Sequence, residues 1–147
     1  MSIVFVTKSH LILMMQYFIF TITLCFAAAE HHREAWRTAL CEGNEELKQG
    51  IDVCFELETS DIQDLTRNCV QRVLPSSHGD LKYFTKIACT DGTLFDKADD
   101  CYHEHEIFKK EVATNKAAIV CYEHLFQKHG ILELENFFKN LENTTTW

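Results

Sequence analysis

Histidine is the residue type whose placement in this 147-residue chain suggests chemistry: there are eight, and His31 and His32 stand side by side just beyond an apolar leader. A signal peptidase that cuts after Ala29 would leave a protein beginning Glu30-His31-His32, with an imidazole third. A free amine, two deprotonated backbone amides and that imidazole close a square-planar set of four nitrogens, the geometry favoured by Cu(II) and Ni(II). A cut one residue earlier would put His31 third and keep the site. The plain alternative is a frayed polar terminus in which the histidines are incidental, since chain ends are poorly ordered unless tied down.

A second cluster, Tyr102-His103-Glu104-His105-Glu106, follows Cys101 directly. His103 and His105 are two apart, so on a helix they point to opposite faces and cannot chelate together unless the helix opens. His105 falls on an apolar stripe and is expected to turn inward. The same holds for His124 on the following helix, next to Cys121. Two neighbouring antiparallel helices would bring these imidazoles together near Glu104, Glu106 or Tyr122, giving a secondary metal set of His103, His105 and His124. The alternative is a pair of core histidines, each satisfied by one hydrogen bond. His78 and His129 fall at expected helix ends.

No catalytic pattern accompanies these histidines. The chain has no H-E-x-x-H, no nucleophile elbow, no calcium-lipase site and no phosphate-cradling glycine loop. With the cysteines committed to bridges, no thiol nucleophile remains. The expectation is a protein that is not an enzyme.

The elements that must position the histidines begin with the leader. Residues 1–29 carry one charge, Lys8, then an apolar run from Leu11 to Phe26 and the small residues Ala27, Ala28 and Ala29. This is the layout of a secretory signal peptide, and residues 30–147 then form a single secreted domain. The competing reading is an uncleaved anchor, because Leu11 to Ala29 is barely long enough to cross a bilayer. Loss of Lys8 leaves 13 of the 14 basic side chains against 22 acidic ones. Such an acidic protein is a poor ligand for phosphate backbones or anionic lipid heads, so nucleic-acid binding, stable membrane association and cationic lysis drop out.

After the leader stand Cys41, Cys54, Cys69, Cys89, Cys101 and Cys121, an even number in a short exported chain, which reads as three disulfides. The absence of any C-x-x-C pair argues against a thiolate metal module. Fifteen connectivities are open. One proline, Pro75, and five glycines leave little material for hairpins. Apolar positions step by three and four instead: Leu47, Ile51 and Cys54; Ile62, Leu65, Cys69 and Val73 after a capping box at Ser60 and Gln63; Leu81, Phe84 and Ile87 after Ser77 and Asp80. The longest stripe is Leu94, Ala98, Cys101, His105, Phe108 and Val112. Asn115 opens a helix through Ala117, Cys121, His124 and Leu125 that His129 and Gly130 close. Leu134, Phe138 and Leu141 mark a last one. The fold class is all-α, a small disulfide-stapled bundle of about five to six helices. Asn143-Thr144-Thr145 is a glycosylation sequon.

The signal peptide, the histidine pair at the new terminus, Leu40-Cys41 entering the first helix, the twelve residues to Cys54 and the six cysteines on helices resemble the microplusin and hebraein group of tick antimicrobial proteins. Those proteins are acidic, histidine-rich and helical, and they sequester copper. The resemblance implies copper binding at His31 and His32, with His103 and His105 in place of the group's histidine-rich carboxyl tail, since no histidine follows His129. The insect odorant-binding proteins also carry six cysteines on helices, but intervals of 14 residues after Cys54 and 19 after Cys101 do not fit their pattern.

The expected function is therefore a secreted, extracellular, monomeric host-defence protein that binds and withholds Cu(II), acting on a microbial target. Its rival is a salivary or haemolymph module that binds an apolar ligand or a host protein. Phe84, Phe95, Phe108, Phe126, Phe137 and Phe138 would line its cavity or else simply fill the core.

Overall fold

Side chains that accept backbone amides set the starts of the helices in the computed structural model, which describes residues 32–105 and 115–144. These fall within one unit, His32–Trp147. The leader, Glu30, His31, Glu106, Phe108, Val112 and Thr145 lie outside the described residues. Helix α1 runs over residues 32–42. Asn44 then turns extended, its Oδ1 accepts the Leu47 amide at 2.8 Å, and α2 follows (Glu45–Phe55).

For α3 (Ser60–Val73) the cap is Thr59, one residue before the expected Ser60, and its hydroxyl accepts the Ile62 amide. With Thr59 as the cap, Gln63 is not at the capping-box position, and its Nε2 donates instead to the Glu58 carbonyl at 3.0 Å. Helix α3 stops before Pro75, whose ring cannot continue it, and a 3₁₀ turn (Pro75–Ser77) leads on. Asp80 caps α4 (Leu81–Ala88) through the amides of Lys82 and Tyr83. Thr93–His103 forms α5. Asn115 caps α6 (Lys116–Lys128), and the closing turn places Gly130 at φ 68°, a left-handed conformation that glycine adopts without strain. Helix α7 is Leu132–Thr144. No strand occurs among the described residues.

The apolar stripes feed two separate cores. One joins α1, α2, α6 and α7 through Ala39, Leu47, Ile51, Ile119, Tyr122, Phe126, Leu134 and Phe138. At its centre the half-buried Trp36 ring meets the edges of Tyr122, Phe126 and Phe138 at centroid distances of 5.6, 5.2 and 6.0 Å. Rings in this arrangement add about 0.5–1.5 kcal/mol per pair beyond their burial. The other core joins α3, α4 and α5 through Val70, Phe84, Ala88, Leu94 and Ala98. The aromatic residues therefore pack the cores: Phe84, Phe126 and Phe138 are buried, and Phe95 and Phe137 lie half-buried against them. Gly50 allows α2 and α6 to approach, because a Cβ there would run into the Leu125 side chain.

Three disulfides staple these layers. Cys54–Cys121 lies inside the first core and Cys69–Cys101 ties α3 to α5 in the second. Cys41–Cys89 runs from α1 to the end of α4 and joins the two cores. The bridges close loops of 48, 67 and 32 residues. By chain entropy each is worth about 4 kcal/mol against the unfolded state.

Replacing Phe126, which is completely buried, with alanine removes the floor under Trp36. The expected cost is about 3–5 kcal/mol in denaturant unfolding, with the three bridges intact. A loss below about 1 kcal/mol would show that the disulfides, rather than the aromatic centre, hold the first core.

Candidate metal centre

The histidines do not converge as their spacing suggests. The stripe starting at Leu94 holds through Ala98 and Cys101, both buried, and then breaks, because α5 ends at His103. His105 is therefore off the helix and exposed, not turned into the core. His124 is also exposed, on α6. Its helix buries Ala118, Ile119, Tyr122 and Phe126 instead, a face rotated away from the one expected. His103 is exposed at the last turn of α5, its Nε2 3.5 Å from Asp99. His78 caps the 3₁₀ turn at φ 50°, and His129 closes α6, as their positions at helix ends suggest. Asn143 is exposed in the last turn of α7.

Among the described residues, three potential ligand atoms come within 4.8 Å of one another at Cys69, Cys101 and His105. Both sulfurs there are bonded to each other, so neither is a thiolate able to bind a metal. His105 stands beside a bridge and does not complete a metal site.

At the other end of the fold, His32 is held against the protein body. Its ring lies on Phe137 at a centroid distance of 4.8 Å, and its Nδ1 faces Glu133 Oε1 at 3.6 Å. Glu133 and Phe137 are four apart on α7, so one helix face presents both the carboxylate and the ring. The next residue is fixed as well: Arg33 pairs with Asp99 at 2.5 Å and reaches Asp100 at 3.7 Å on α5. Burial raises the Asp99 carboxyl above its ordinary value, and Arg33 and His103 oppose the shift. Trp36, one turn on, enters the first core. Sequence reasoning missed α1 as a helix, though Ala35, Trp36, Ala39 and Leu40 recur at steps of four. It missed Glu133 too, since nothing local connects residues a hundred positions apart.

A second polar cluster joins the α2–α3 turn to the start of α6. Asn115 donates to the Leu57 carbonyl at 2.9 Å and to Glu58 at 3.3 Å. Burial pushes the Glu58 carboxyl up to about 7, and the Asn115 hydrogen bond opposes this. Burial likewise raises the phenol of Tyr122, and the charges of Glu58 and Asp52 raise it further.

The fold and these sites define a small all-α protein stapled by three disulfides, the bonding of an oxidising compartment. None of the described helices is long and apolar enough to cross a membrane. The chain matches no protein-family model, no curated protein and no solved structure.

Glu58 gives this region a pH signature. A carboxyl held at about 7 in the folded protein, against an ordinary 4.5, binds its proton more tightly when folded. Its stabilisation is complete below pH 4.5 and is lost as pH rises toward 7. Glu58→Gln removes that loss, so its melting temperature relative to wild type should rise across this interval. Parallel melting profiles for the two proteins would mean that Glu58 titrates normally.

Proposed function

We propose that this is a secreted host-defence protein that binds Cu(II) at its processed amino terminus, Glu30-His31-His32, and withholds it from microbes. The observation that carries the reading is the seating of His32 and Arg33. His32 rests on Phe137 and Arg33 pairs with Asp99, so the chain is held to the protein body from its first described residue onward. Part of the ordering cost of closing a chelate is then met before the metal arrives.

Helix geometry adds a second support. His32 is the first described residue of α1, and the leading amides of a helix have no carbonyl partner within it. The residue 32 nitrogen is thus left for a metal to displace its proton. The side-chain nitrogen that closes a chelate ring with its own amide is Nδ1, because Nε2 lies too far along the ring. An excess of acid over base favours withholding a cation over membrane lysis, and the resemblance to the microplusin and hebraein group supplies the antimicrobial half of the reading. His103, His105 and His124 are exposed at separate positions and take no part.

The second reading, a module that binds a host or microbial protein, draws on Val53 and Leu57. Val53 lies in the last turn of α2 and Leu57 in the turn just beyond it, and they are 62% and 46% exposed. Copper titration against a competing chelator separates the two. The processed protein is expected to bind one Cu(II) more tightly than micromolar and to lose this when its α-amine is acetylated or His32 becomes alanine, while His105→Ala changes nothing. In culture, added copper should relieve growth inhibition. Micromolar or weaker binding by the unmodified protein would overturn the proposal.

A further inference from the structure

We infer that Cys69, Cys101 and His105 form a reduction-gated zinc site: a closed disulfide in the oxidised protein, and two thiolates with an imidazole for one Zn(II) once that bridge is opened. The site is independent of the copper-binding reading above and shares no residue with the amino terminus.

Helix geometry assembles the three donors. Cys69 lies on α3, and Cys101 lies in the last turn of α5. His105 follows Cys101 by four residues. Although α5 ends at His103, the His105 amide still donates to the Tyr102 carbonyl at 3.1 Å, so the chain continues to turn and the imidazole stays beside the bridge. The two sulfurs and a ring nitrogen all lie within 4.8 Å of one another. Tetrahedral zinc, with bonds of about 2.3 Å to sulfur and about 2.0–2.1 Å to nitrogen, puts such donors about 3.6–3.8 Å apart. Opening the bridge frees the sulfurs to part to that spacing, and the imidazole then has about an ångström at most to travel.

The scaffold outlasts the bond. Arg72, three residues after Cys69, pairs with Glu104, three residues after Cys101, at 3.0 Å, so a second tie joins α3 to the end of α5. Val70, Leu94 and Ala98 pack the same two helices in the second core. Burial then favours the metal-bound form over free thiols. Cys69 and Cys101 are 1% and 5% exposed, and thiols in such surroundings hold their protons. Zinc brings the two positive charges that a pair of buried thiolates needs, and a neutral imidazole adds none. The step balances with a monothiol such as glutathione: two molecules join as one disulfide, their two electrons and two protons convert the bridge to two thiols, and Zn(II) displaces those protons. Among the described residues this is the one bridge with a third donor in reach, so zinc pulls on its equilibrium and not on the other two.

The test equilibrates the secreted, processed protein in glutathione redox buffers with and without Zn(II), traps free thiols with a maleimide and maps them by mass spectrometry. With zinc at about ten times its Kd, Cys69–Cys101 should open in a buffer about tenfold less reducing, while the other bridges stay closed and the helical circular dichroism is kept. Co(II) in place of zinc should give the thiolate charge-transfer absorption of a tetrahedral site. His105 is exposed, so His105→Ala spares the fold and should remove most of the zinc effect; His124→Ala, another exposed histidine, should match wild type. Zinc held by glutathione cancels in these comparisons. If zinc leaves the Cys69–Cys101 equilibrium unmoved, or moves it equally in His105→Ala, the site is refuted. Loss of helix on opening the bridge refutes it too, because an unfolded chain would then be the ligand. Labelling at Cys69 and Cys101 does not report on the amino terminus, so the two readings fail separately.

Discussion

The Cys41–Cys89 bond is the constraint on which the rest of the arrangement depends, because the described helices fill two cores instead of one. Each core is small, and each carries its own internal bridge. Such cores bury too little surface to be secure alone, and small exported domains commonly meet that shortage with disulfides. The bond from α1 to the end of α4 makes the two share one fate on unfolding. Ion pairs follow the same seam, with Arg33 of α1 on Asp99 of α5 and Lys82 of α4 on Asp52 of α2. Exposed pairs of this kind are worth little singly, so the covalent link carries the connection.

Much of the fold was legible because helical amphipathicity is written locally. Leu47, Ile51 and Cys54 are buried as their spacing required, and Asn44, Asp80 and Asn115 cap the helices they precede. Periodicity says which face of a helix goes inward but not where the helix ends. That is why the stripe from Leu94 carried His105 into an expected core, although α5 had already stopped at His103. His124 failed differently. Its stripe shared α6 with a stronger one, and the aromatic packing of Tyr122 and Phe126 against Trp36 decided the rotation. Disulfide pairing was out of reach in principle, since each partner lies 32 to 67 residues away.

The candidate site divides along the same line. The chelating potential of Glu30, His31 and His32 is a property of consecutive residues and can be read from them. That His32 is seated on Phe137, opposite Glu133, is a property of packing between the first and last helices. Electrostatics behave likewise: Glu58 is one of many acidic residues in the sequence, and only its enclosure beside Asn115 and Tyr122 sets it apart.

The order of the bridges has a topological result. First cysteine joins fourth, second joins sixth and third joins fifth, so every peptide bond between Cys41 and Cys121 lies inside at least one covalent ring. A protease that severs any one of them leaves the pieces tethered, an advantage for a molecule exposed to digestive surroundings. Only the stretches before Cys41 and after Cys121 escape these rings, and it is there that His32 and Glu133 meet. Noncovalent contact closes the circuit that sulfur leaves open.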